Sequence, residues 1–245
     1  MCYAKRGKLR FASHRDIARA FERAVRRAGV PVAYSHGFNP HPRISWVGAA
    51  PTGTASEAEY VEIAVTTELR PADLGRCLDE ALPPGLDILE VVEARSGTLA
   101  DRIEASLWLV EVPGVAPDVL AAAGRKLMAA DAVEVDKMTK NGKRRIDVRP
   151  AIVSLRVNIE APYGIMRVVV RQTSPVVRPD DVLSALRVVA ALTPPVAVKA
   201  TRMAQGRFDG AGLLVDPLAL DRGQSAVPEA REPEPGQPIV DGTVG

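Results

Sequence analysis

The chain is poor in cysteine. Cys2 and Cys77 are its two thiols, and they stand far apart with no metal-ligand pattern around either. That argues against a disulfide framework and a cysteine-held metal centre, and it fits a reducing, cytoplasmic setting. Histidine is scarce too: His14, His36 and His41 are the three in 245 residues. No apolar run approaches the roughly 20 residues of a membrane span, and no signal peptide opens the chain. There is no Gly-x4-Gly-Lys-Ser/Thr phosphate loop and no Gly-x-Ser-x-Gly nucleophile elbow, so neither of these familiar catalytic machines is encoded. Met1-Cys2-Tyr3 reads as the middle of a strand, and a natural start a few residues upstream is expected.

What is present is ordinary in total and uneven in distribution. The chain is 47% hydrophobic and 25% charged, with a net charge of +2, as folded soluble proteins are. Residues 1–46 carry ten Lys/Arg against Asp16 and Glu22, a local charge of +8, whereas residues 206–245 carry a charge of −4. Such asymmetry points to an anionic partner for the first part and an acidic tail at the end.

Along the chain, residues 1–11 read as a strand or hairpin turning at Gly7. Ser13 with Asp16 three residues on resembles a capping box. The spacing predicts a helix from His14 to Ala28 that buries Ile17, Ala20, Phe21, Ala24 and Ala28. Ile44–Ala49 and the alternating Tyr60–Val65 read as strands. Pro71–Leu82 reads as a helix and Leu86–Val92 as a strand. This β-α-β-β-α-β order is the ferredoxin-like arrangement. The order returns in strand 106–112, helix 117–130, strands 152–159 and 165–171, helix 179–191 and strand 196–203. An extra hairpin turns at Lys140-Asn-Gly-Lys143. The fold class expected is therefore α+β, with tandem ferredoxin-like domains over 1–95 and 96–205. Residues 206–245, rich in Pro, Gly, Asp and Glu, read as a disordered tail.

The candidate chemistry gathers in the first 60 residues. Tyr34-Ser-His-Gly-Phe-Asn-Pro-His-Pro-Arg43 is a loop whose backbone is restricted before each proline. It reads as a recognition loop of Ser35, His36, Gly37, Phe38, Asn39, Pro40, His41 and Arg43. Phe38 would stack on a flat group, and Arg43 would pair with phosphate or carboxylate. Phe38 as a core plug is the structural alternative. Arg15, Arg19, Arg23, Arg26 and Arg27 form a stripe on the first helix, either solvated, docked on an acidic protein, or holding phosphates. About four phosphate contacts would give a log–log salt slope near −3 to −4. A second basic patch, Lys137, Lys140, Lys143, Arg144 and Arg145, sits on the hairpin, where Lys also guards exposed strand edges. His14 and His36 are candidates for acid–base work. The spacing His36-x4-His41 matches no established zinc pattern, and no metal site is assigned. Glu57, Glu59 and Glu62 cluster near the Gly53 turn, and Glu57 or Glu59 reads as a partner of the nearby arginines.

Over Lys5-Arg-Gly-Lys-Leu-Arg-Phe-Ala-Ser-His-Arg-Asp16 the chain resembles a bacterial family, the radical-SAM-linked domain of unknown function. The likeness continues through Phe21–Pro31, Tyr34–Ser45, Ala50-Pro-Thr-Gly53 and Ser56-Glu-Ala-Glu-Tyr60. It is dense over residues 3–65, thins to about residue 205, and ends before the tail. In that family the domain stands alone or behind a radical S-adenosylmethionine domain that holds a [4Fe–4S] cluster through three cysteines. This chain has two cysteines, so the resemblance implies that S-adenosylmethionine and the cluster belong to a partner. A looser likeness, of architecture, is to CRISPR repeat-processing endoribonucleases, some of which use a histidine; their glycine-rich loop near the C-terminus is not found here.

These readings make the chain a cytoplasmic accessory protein that presents RNA or another anionic substrate to a radical-SAM partner. The alternatives are a metal-independent endoribonuclease using His14 or His36, and a pure protein-interaction module. Whether the chain is itself an enzyme stays open at this point.

Overall fold

A computed structural model describes residues 1–95, 97–139, 142–209 and 212–222. The chain is α+β, with four α-helices, a nine-stranded mixed sheet and a separate two-stranded hairpin among the described residues.

The first half runs β1 (Cys2–Lys5), α1 (His14–Arg27), β2 (Ile44–Val47), β3 (Ala55–Ile63), α2 (Pro71–Ala81) and β4 (Leu86–Glu90). β1 leads not into a hairpin but into a 3₁₀ turn over Gly7–Phe11. The Ser13 hydroxyl accepts the Asp16 N–H and the Asp16 carboxylate accepts the Ser13 N–H, each at 3.2 Å. This is the expected capping box, and such caps contribute about 1 kcal/mol. α1 buries Ile17, Ala20, Phe21, Ala24 and Val25. Its C-cap, Ala28, is only partly buried, because the helix ends there and the chain turns away at Gly29.

The second half runs β5 (Ala105–Val112), α3 (Pro117–Ala129), β6 (Glu134–Thr139), β7 (Gly142–Asp147), β8 (Ile152–Asn158), β9 (Gly164–Arg171), α4 (Pro179–Ala190) and β10 (Lys199–Phe208). β6 and β7 form the expected hairpin; Lys140 and Asn141 at its turn lie outside the described residues.

Strand order in the first half is β4-β1-β3-β2, and in the second β10-β5-β9-β8. Every neighbouring pair within a half is antiparallel. The halves join where β10 lies parallel to β3, with Thr201 opposite Ala55 and Arg202 opposite Ser56. One edge of β3 thus serves two strands in turn: its start takes β10, and Tyr60–Ile63 take β2.

Alternation along the strands sorts the cores. Tyr3 and Val61 face the helices and pack with Phe21, Leu78 and Leu86. Cys2, Ala58 and Tyr60 face the other way and pack with Leu99, Ile103 and Leu218. The second half has its own core, which Val135 and Ile146 of the hairpin enter.

The disordered reading of residues 206–245 does not hold for residues 206–209 and 212–222. Residues 206–208 complete β10, and Leu214–Val215 form β11 against it. Gly206 is needed there, since a Cβ would stand 1.9 Å from the Val215 carbonyl oxygen. Leu218 is buried, and Asp221 pairs with Arg102 inside the protein. Composition misled because the polar residues of this stretch find specific partners, which offset their ordering entropy. Residues 223–245 lie outside the described residues.

Candidate functional site

The arginine stripe lies on the outer side of α1. At 3.6 residues per turn, Arg15, Arg19, Arg23 and Arg26 fall opposite the Ile17–Phe21–Ala24 face, and all four are exposed. Among the described residues no carboxylate pairs with Arg15, Arg19 or Arg23 within 4.0 Å. Arg26 donates to the Glu22 carbonyl at 3.2 Å and Arg27 to the Ala81 carbonyl at 3.3 Å. Arg15–Arg19 and Arg19–Arg23 are like charges one helical turn apart, each costing a few tenths of a kcal/mol. Asp16 is held below its ordinary pKa, first by its hydrogen bonds with Ser13 and then by Arg19 and Arg15.

The hairpin is different. Lys143 pairs with Asp136 at 2.9 Å, Arg145 stands within 4.0 Å of Glu134 and Asp136, and Lys137 pairs with Asp181. Arg144 is exposed with no ion pair among the described residues; Lys140 lies outside them. Much of the positive charge read on the hairpin is therefore met by acids of β6 and α4.

The loop after α1 is closed at its neck. Arg43 N–H donates to the Ala33 carbonyl at 2.8 Å, Ser35 N–H donates to the His41 carbonyl at 2.9 Å, and the Ser35 hydroxyl accepts the His41 N–H at 3.0 Å. His36, Gly37, Phe38, Asn39 and Pro40 form the exposed tip. Phe38 is fully exposed, so it is no core plug. His14, at the start of α1, lies edge-to-face with Trp46 at 5.4 Å. His36 and His41 stay in the loop, and no metal-holding group of three or more His, Cys, Asp or Glu forms among the described residues.

Glu57 meets a nearby arginine, as expected, whereas Glu59 does not. Glu57 takes Arg6, which also reaches Asp87 at 2.8 Å. Glu59 takes an arginine from the far half of the chain, Arg202, with both side chains buried. Around this pair Arg202 also donates to Gln205 Oε1 at 3.1 Å and Ser56 Oγ at 3.4 Å, and stands 5.4 Å from the Trp108 ring centre. Glu59 accepts the Ala50 N–H at 2.9 Å. Lys5, fully buried, donates to the Ala50 and Pro51 carbonyls at 3.3 and 3.1 Å. Burial pulls the Lys5 ammonium below its ordinary pKa, with Glu59 opposing that shift, and burial pushes the Tyr3 hydroxyl up.

The Ala50-Pro-Thr-Gly53 turn is thus pinned by two buried charges, at the place where β2 leaves β3 and β10 joins it. Sequence reasoning placed Glu59 near arginines but missed Lys5 and Arg202. The signal for Arg202 was available: it is a charge inside the Val196–Met203 strand, where an unpaired buried charge would be very costly.

A search of curated proteins gives no match. The profile of a bacterial family matches residues 1–179, which carry β1 through β9 and all the motifs of the first half. The chain therefore belongs to the family described as uncharacterized protein conserved in bacteria, DUF2344.

Proposed function

We propose that this protein is a cytoplasmic RNA-binding accessory module. It holds phosphates on the outer face of α1 and presents the bound strand to a separate radical-SAM enzyme. The observation that carries the RNA-binding reading is the ridge of Arg15, Arg19 and Arg23: three exposed guanidinium groups with no carboxylate partner among the described residues. A helix bears such like-charge spacing at a cost to its own stability, and an external polyanion removes that cost. The fully exposed Phe38 at the tip of the loop after α1 adds a stacking platform for a base. The partner rests on the motif resemblance over residues 3–65, and S-adenosylmethionine with its cluster belongs to that partner. We read the two halves as tandem ferredoxin-like units, supported by the antiparallel orders β4-β1-β3-β2 and β10-β5-β9-β8.

The test is binding of the purified full chain to total cellular RNA across a salt series, with the RNA run on a gel afterwards. Three phosphate contacts give a log–log slope of about −2 to −3. Arg19→Gln should reduce that slope by about one contact and leave the RNA intact. No binding at low salt overturns the reading. Cleavage lost in His14→Ala or His36→Ala would replace it with an endoribonuclease.

A further inference from the structure

The second half presents one sheet face to α3 and α4 and turns the other away from them. Trp108, Met166, Val168 and Ala200 point to the helices and pack into that half's core. Alternation sends Leu107 and Leu109 of β5, Arg167, Val169 and Arg171 of β9, and Arg156 of β8 to the opposite face. The registers set them in rows. Arg156 stands opposite Arg167 and Arg167 opposite Leu109; in the next row Val169 stands opposite Leu107.

The water-facing side of an antiparallel sheet is ordinarily polar. This one has an apolar middle: Leu107, Leu109 and Val169 are partly buried and belong to none of the three hydrophobic cores. Its flanks are cationic. Arg156, Arg167 and Arg171 are exposed and form no ion pair among the described residues. Arg156 and Arg167 are directly paired across neighbouring strands, where like charges are destabilising. Arg171 lies four residues further along β9, about 13 Å at about 3.3 Å per residue. Its guanidinium stands 5.0 Å from the Phe208 ring centre, a contact that orients it without neutralising it. Glu111 is the sole acid among the outward positions of these four strands, and it accepts the Tyr163 hydroxyl at 2.8 Å.

We propose that this face of β10-β5-β9-β8 binds single-stranded RNA. Arg156, Arg167 and Arg171 take phosphates and base planes, and Leu107, Leu109 and Val169 lie under the bases. Charge alone would suit any polyanion, and an apolar floor alone would suit a protein. The two together suit unpaired nucleotides, whose base faces are apolar and whose backbone is anionic. A duplex keeps those faces stacked inside. Guanidinium planes stack on bases as well as pairing with phosphate, so the Arg156–Arg167 pair gains from both. The inference rests on the RNA-binding reading for its ligand class and adds what α1 does not decide: that the bound strand is unpaired.

The experiment is fluorescence anisotropy of the full chain with two labelled probes across a salt series. One probe is an oligouridine of about 20 nucleotides and the other a mixed-sequence RNA duplex of the same length. The parent should prefer the single strand. Arg156→Gln with Arg167→Gln should weaken the oligouridine by at least about tenfold, flatten its log–log salt slope by about 1, and leave the duplex unchanged. Arg156→Lys with Arg167→Lys keeps the charge and gives up the planar stack, so it should keep the slope and lose part of the preference. Thiouridine-substituted oligouridine, crosslinked by light to the parent protein and mapped by mass spectrometry, needs no variant to fold. It should label the strands over residues 105–112 and 164–171. Equal binding of the two probes by the parent, an unchanged single-strand affinity in the glutamine variant, or crosslinks confined to α1 and the loop after it overturns the proposal. Polyglutamate that displaces the probe as well as unlabelled oligouridine does would also overturn it, and would assign the face to an acidic protein. Failure of the α1 reading is a separate result: Arg15→Gln with Arg19→Gln and Arg23→Gln would then leave duplex binding intact.

Discussion

Glu59 and Arg202 lie 143 positions apart in the chain and form a buried ion pair across the seam where the two halves share one sheet. The pair closes a network that reaches Lys5, Ala50, Ser56 and Gln205. Removing one partner leaves the other charge buried and uncompensated. Glu59→Gln or Arg202→Met should each lower unfolding stability by about 3–5 kcal/mol. The double variant should cost less than the two single losses together, because no charge is then stranded. Urea unfolding of the four proteins measures this coupling. Additive losses would mean that the pair contributes nothing as a pair.

A second buried pair ties the end of the described chain to the sheet. Asp221 meets Arg102 at 2.5 Å, with both side chains buried. Burial alone would raise the Asp221 carboxyl, but its hydrogen bonds from Arg102 and the Arg95 N–H outweigh that, and its pKa lies below the ordinary value. A carboxyl depressed in the folded state contributes stability that is complete above its unfolded pKa, about 4. That contribution is lost as pH falls through the lower folded value. Asp221→Asn should therefore cost about 3 kcal/mol at neutral pH and flatten the loss of stability below about pH 4. Melting curves from pH 3 to 7 for both proteins would reveal either a shared acid limb, against the prediction, or a separated one.

Much of the fold was legible because local rules and burial agree in it. The capping box at Ser13, the prolines opening three helices and the alternation over Tyr60–Val65 all signal elements by short-range chemistry. What was not legible depends on contacts distant in sequence. Nothing near Glu59 announces Arg202, and nothing near Leu218 announces the sheet face formed by Cys2, Ala58 and Tyr60. The same limit applies to the candidate sites. The α1 ridge was readable from helical spacing alone. The buried network at the seam was not, because it needs Arg202 from one half beside Glu59 and the Ala50–Gly53 turn of the other. The acidic partners of the hairpin lysines, Asp136 and Asp181, were not legible either, because they stand across a strand pair and on α4.

The two thiols should differ sharply in reactivity. Cys2 is buried in β1 between β3 and β4, and burial, reinforced by the nearby Asp216, pushes its pKa up to about 12. The thiolate is the reactive form, so at pH 8 native Cys2 is almost wholly protonated and shielded. Cys77 on α2 is only partly buried. Iodoacetamide followed by mass spectrometry should label Cys77 first and Cys2 only after unfolding. Equal labelling in the native protein would contradict the packing of β1.

The ridge offers a prediction in which stability and binding move in opposite directions. Arg15, Arg19 and Arg23 touch no acid within the described residues, so replacing them by glutamine removes no ion pair. It does remove two repulsions one turn apart on α1, each worth a few tenths of a kcal/mol, against the weaker loss of Arg15 and Arg19 from the surroundings of the exposed Asp16, which keeps its hydrogen bonds with Ser13. The triple variant should be as stable as the parent or more so, by up to about 1 kcal/mol, with RNA affinity lost. A solvated face with no function would show the same stability and no change in RNA affinity. A face docked on the rest of the chain would lose stability. Measuring both quantities on one preparation separates the three cases, because only an external anion makes the arginines unfavourable to the folded protein alone and favourable to its complex.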